Sequence, residues 1–98
     1  MDFFLKNLEE TLEAINKLID NNVYIVNTKR VRRCNNIKSS NRSKINFIWR
    51  SLKFLAKEGN GILEKNGASN PTTYKIKHQE KIDITDFIKQ IERNRDKI

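Results

Sequence analysis

The sequence predicts a mainly helical α+β fold with one small β-hairpin. Three observations carry this. Long segments near the two ends and in the middle repeat apolar residues at three- and four-residue steps. Two short strand-like runs, Ile62 to Lys65 and Thr72 to Lys77, flank an Asn66-Gly67 turn signal. Asn- and Ser-rich clusters punctuate the rest at spacings suited to helix caps.

The first helix is expected over residues 1–20. Phe4, Leu8, Leu12, Ile15 and Ile19 form its apolar stripe, widened by Leu5 and Leu18. Glu9, Glu10 and Glu13, with Lys6 and Lys17, take the opposite side. Asp2 is the expected N-cap, and the Asp20-Asn21-Asn22 cluster ends the periodicity. Val23 to Val26, β-branched and aromatic but short, reads as a brief strand.

A basic helix-turn-helix unit follows over residues 28–57. Asn27 or Thr28 caps a short helix running to about Asn36, with Val31 and Cys34 turned inward. Lys38 to Asn41 is a polar turn. From Arg42 to Lys57, Ile45, Ile48, Trp49, Leu52, Leu55 and Ala56 share one face at about 100° per residue, so Trp49 is expected in the core. Phe47 and Phe54 stand away from that face. They are expected to pack against the first or last helix or another subunit, with base stacking as the rival role. Gly59 is the expected left-handed cap. The hairpin spans residues 62–77, where Tyr74, like Tyr24 before it, is read as strand packing. A final helix is expected over 83–97, striped by Ile84, Phe87, Ile88 and Ile91.

Ninety-eight residues are read as one domain. Surface scaling allows such a chain to hide only roughly 65 % of its unfolded surface. With apolar residues at 37 %, the aromatics and isoleucines still lift it out of the disordered class. Charge is the more telling quantity. Between Asn21 and Lys57 lie Lys29, Arg30, Arg32, Arg33, Lys38, Arg42, Lys44, Arg50, Lys53 and Lys57, and no acid. The acids lie in the flanks, from Asp2 to Asp20 and from Glu58 to Asp96. A net charge of +8 gathered in one segment makes a positive field suited to a polyanion, and nucleic acid is the expected partner.

Other chemistries find little footing. The three glycines make no phosphate loop, and no Ser, His and acid constellation is in evidence. One cysteine and one histidine cannot supply a zinc spacing. No catalytic residue, cofactor, metal or small-molecule ligand is therefore expected. Cys34, beside Arg33, is read as a small buried thiol ahead of an oxidant sensor, and His78 as a surface residue. No apolar run is long enough to span a bilayer, and Met1-Asp2-Phe3-Phe4 lacks a secretory start, so a soluble, cytoplasmic, DNA-associated protein is expected.

In this order of elements, and above all in Ser40 to Gly59, the segment from about Asn7 to Lys77 resembles a winged helix-turn-helix DNA-binding domain. The added C-terminal helix makes it similar to small dimeric regulators of the PadR type. The resemblance implies that the third helix enters the major groove and that the hairpin, or wing, lies along the backbone. It further implies that Arg42, Ser43, Asn46 and Arg50 face base edges. The turn at Asn35 to Asn41 is longer and more polar than the family's usual tight turn.

The residue chemistry agrees with that assignment, since Arg pairs with guanine and Asn with adenine through two bonds each, and Arg42, Asn46 and Arg50 are four apart. Lys29, Arg30, Arg32, Arg33, Lys44 and Lys53, with Lys65, Lys75 and Lys77 of the hairpin, are read as phosphate contacts. Phe3, Phe4, Leu5, Ile84, Phe87, Ile88 and Ile91 offer apolar surface for a homodimer interface. The expected activity is sequence-preferring binding of double-stranded DNA by a transcriptional regulator. The alternatives are a DNA-organising or plasmid-partition protein that spreads along DNA, an RNA or single-strand binder, and a protein-interaction module.

Overall fold

The computed structural model describes residues 3–57, 61–66 and 72–96, with side chains through residue 93. Its elements run α1 (Phe3–Asp20), β1 (Ile25–Val26), α2 (Thr28–Cys34), α3 (Arg42–Lys57), β2 (Leu63–Lys65), β3 (Tyr74–Ile76) and α4 (Ile84–Asp96). Asp2 and Gly59, both expected as caps, and the hairpin tip from Gly67 to Pro71 lie outside the described residues.

Helices α1 and α2 end where asparagine adopts a left-handed backbone. At the end of α1, Asn22 has φ 58°. This lets the Asn22 N–H reach Ile19 O at 3.0 Å and the Val23 N–H reach Leu18 O at 2.8 Å. Asn36, at φ 55°, closes α2 in the same way, with the Asn36 N–H on Arg33 O and the Ile37 N–H on Arg32 O. The helix therefore stops at Cys34, two residues short of the expected end. Starts are capped by side chains. Asn27 accepts the Arg30 N–H at 2.8 Å, Asn41 the Lys44 N–H at 3.2 Å and Asp83 the Asp86 N–H at 3.1 Å.

The three strands form an antiparallel sheet in the order β1-β3-β2, with Val26 opposite Tyr74 and Lys65 opposite Tyr74 from the other side. Each strand is shorter than its sequence run. For β1 the reason is local, because the Val23 N–H is already spent on the end of α1. Val26, Tyr74 and Ile76 turn one sheet face inward onto the helices.

The core gathers Leu8, Leu12 and Ile15 of α1, Val31 of α2, Leu52 and Leu55 of α3, and Ile62 before β2, all at most 2 % exposed. Truncating one of these leucines to Ala costs on the order of 2–5 kcal/mol. A polar stripe of Asn7 and Thr11 is buried with them, and each is bonded: Asn7 Nδ2 donates to Phe3 O at 2.7 Å and Thr11 Oγ1 to Asn7 O at 3.0 Å.

α4 lies against α1. Asn16 holds the approach to it with both amide atoms, donating to Ile82 O at 3.0 Å and accepting from the Ile82 N–H at 2.8 Å. Leu5 and Ile88, read from sequence as interface residues, are 3 % and 5 % exposed within this single chain. Phe4 packs edge-on against Phe54, and Ile84, Phe87 and Ile91 are half-buried against the same core. Among the described residues the apolar surface these positions leave for a partner is therefore small, with Phe3 its most exposed member at 69 %.

Candidate nucleic-acid interface

The rotation of α3 about its own axis decides what it offers to solvent. Ile48, Ser51, Leu52 and Leu55 are its buried residues. Ser51 is fully buried among them, its hydroxyl donating to Phe47 O at 2.8 Å. The outward face is then Arg42, Ser43, Asn46, Arg50, Lys53 and Lys57, all exposed. The four residues singled out for base edges share one surface. Arg42 to Arg50 spans about 12 Å of helix axis at about 1.5 Å per residue. That is three to four base-pair steps of about 3.4 Å.

Both phenylalanines of α3 pack against the start of α1. Phe47 meets Phe3 with ring centroids 5.6 Å apart, and Phe54 meets Phe4 at 5.5 Å and 78°. The Phe47 ring also lies 6.0 Å from the Arg50 guanidinium, a shelf that favours the outward rotamer of that arginine. Trp49 corrects the sequence expectation. It is 47 % exposed, on the margin of α3 nearest the hairpin, with Lys53 Nζ 5.0 Å from its ring centroid.

The cations expected at phosphates divide into groups. Lys29 and Arg33 of α2, one turn apart, are exposed, and Lys29 shares a hollow with Ile45 and Trp49 of α3. Arg30 donates Nη1–H to Ile25 O at 3.0 Å and Arg32 to Ile37 O at 3.1 Å. These two brace α2 against β1 and the following turn, though a guanidinium with five N–H donors keeps others for a phosphate. Lys44 differs, because its Nζ donates to Glu10 Oε2 at 2.8 Å and Asn7 Oδ1 at 3.1 Å, turning it back onto α1.

On the hairpin, strand alternation separates the three lysines. Lys65 stands level with Tyr74 on the side of α3. Lys75, level with Glu64 and Ile25, faces the other side and shares a hollow there with Tyr24 and Lys77. Tyr74 itself is 6 % exposed, and burial pushes its phenol above the ordinary value.

Among the described residues two ion pairs form, Lys44–Glu10 and an exposed Lys81–Asp20 contact at 3.0 Å. The cations of the outward α3 face have no carboxylate partner among those residues. No group of three or more His, Cys, Asp or Glu is placed there to hold a metal ion, and no described helix is long and apolar enough to cross a membrane. In comparisons with known proteins, no family model, no curated protein and no solved structure matches this chain.

Proposed function

We propose that this chain binds double-stranded DNA by laying the outward face of α3 in the major groove. The observation that carries the reading is the row Arg42, Asn46 and Arg50, exposed on a helix with no acid and free of carboxylate partners among the described residues. A helix of this width fits the groove, and in this residue set Arg can donate two bonds to a guanine edge while Asn donates one to adenine and accepts one from it. Lys29, Arg33, Lys53 and Lys65 flank it as phosphate contacts that set register.

The element order α1-β1-α2-α3-β2-β3, with the hairpin pairing beside α3, supports a winged-helix reading in which the hairpin is the wing. A role as a transcriptional regulator follows from that reading. A homodimer would set two such helices on an inverted repeat with half-sites about 10 base pairs apart. Phe3 and the half-buried Ile84, Phe87 and Ile91 are the apolar surface from which its contact would be built.

Selection of bound fragments from a random duplex pool tests the proposal. A common motif, lost together with affinity on Arg42→Ala and Arg50→Ala, is the expected result. Retention of arbitrary fragments by parent and variants alike would remove it.

A further inference from the structure

Trp49 has no part in the duplex contacts just described. It stands where two hollows between α3 and the hairpin meet, of about 420 Å³ and 380 Å³, with Thr72 and Tyr74 common to both. Lys29 lies in the first hollow; Lys53, Lys57 and Lys65 line the second. An indole this exposed, with Lys29, Arg32, Lys53, Lys57 and Lys65 and no acid among the described residues that line the two hollows, poses a recognition problem. An apolar peptide would desolvate the ammonium groups without pairing them. A bare anion would leave the ring unused.

A nucleotide answers both demands, with its base on the ring and its phosphate on an ammonium group. Positive charge lies on both sides of Trp49, from Lys29 at one end to Lys65 at the other. That arrangement suits a base within a strand, with phosphates before and after it, better than a free nucleotide whose charge is all at one end. We infer that the groove between α3 and the hairpin binds an unpaired nucleotide of a DNA strand. The base stacks on Trp49, and the flanking phosphates meet Arg32 of the first hollow on one side and Lys57 of the second on the other, cations that the duplex contacts leave unused. The inference rests on reading the basic face as a nucleic-acid surface, and it adds a strand adjoining the duplex to the ligand.

Trp49 is the chain's single tryptophan, so it reports on its own occupancy. Its emission is followed while the protein is titrated with a blunt duplex, the same duplex with a short unpaired tail, the single strand, and deoxynucleoside monophosphates. The tail should quench Trp49 and tighten binding about tenfold. Trp49→Leu should abolish that gain and leave blunt-duplex affinity within about twofold, whereas Trp49→Phe, which keeps a ring, should retain part of it. Equal emission and affinity with and without the tail would overturn the inference. So would quenching by the monophosphates as complete as that by the tailed duplex at equal concentration. If the single strand quenches Trp49 but no duplex binds, the major-groove reading falls and this one stands; if the blunt duplex binds and the tail adds nothing, the reverse holds.

Discussion

Lys44 Nζ lies 2.8 Å from Glu10 Oε2, joining the basic helix to the acidic one at the point where α3 begins its outward face. The same ammonium group reaches Asn7 Oδ1 at 3.1 Å, an oxygen on a side chain only 2 % exposed. Lys44 thereby adds a polar tie to the apolar packing of Ile48, Leu52 and Leu55 that turns Arg42, Asn46 and Arg50 outward.

Replacing that lysine should therefore affect folding before binding. Lys44→Met leaves Asn7 Oδ1 without its donor and is expected to lower stability by about 1–3 kcal/mol, read from the urea midpoint. The salt dependence of duplex binding should stay close to the parent's. A fully stable variant with a shallower salt dependence would show Lys44 at a phosphate instead.

Arg50 is expected to read sequence. Arg50→Ala should weaken binding to the selected site by about 1–3 kcal/mol and relax discrimination at one base pair. Measured side by side, specific and random duplexes should lose unequal amounts. Equal loss on both would reassign Arg50 to the backbone.

The two sides of the hairpin should behave differently. Lys65 faces the α3 groove while Lys75 stands level with Glu64 on the opposite side. Lys65→Ala should reduce the magnitude of the log–log salt slope by about one, and Lys75→Ala by clearly less. Equal reductions would mean that the wing contacts DNA through both faces.

Tyr74 gives the fold a pH dependence at the alkaline end. Burial raises its phenol above the ordinary 10.0, so the folded chain holds the proton after the unfolded chain has released it. The associated stability is complete below about pH 10 and is lost as pH rises through the folded value. Unfolding measured across that range should show a decline that Tyr74→Phe diminishes. An identical decline in the variant would place its cause elsewhere.

Much of this architecture was legible in the residues. The bounds of α3 at Arg42 and Lys57 follow from spacing and polarity; the same signals narrow the cap to Asn27 or Thr28 and the partners of Phe47 and Phe54 to the first helix, the last helix or another subunit, and the structure selects Asn27 and the first helix. Trp49 was not so readable, because apolar residues occupy roughly 200° of the α3 circumference at about 100° per residue. An arc that wide has two margins. Phe3 and Phe4 cover the Phe47 and Phe54 margin, leaving Trp49 on the open one. The fully buried Ser51, on the side of the core face toward Phe47, is a core position that polarity alone conceals.

The inward turn of Lys44 was equally hidden, since its partners Asn7 and Glu10 are more than thirty residues away in sequence. The outward direction of Lys75 and Lys77 did have a local signal in the alternation with Tyr74 and Ile76. Its meaning depended on knowing which sheet face the helices cover.

The central claim, that the outward cations of α3 and its neighbours meet a polyanion, is tested most directly by the affinity for duplex DNA as a function of salt. Neutralisation of some five to eight phosphates predicts a log–log slope of about -4 to -7. A slope near -1, with affinity surviving high salt, would contradict it.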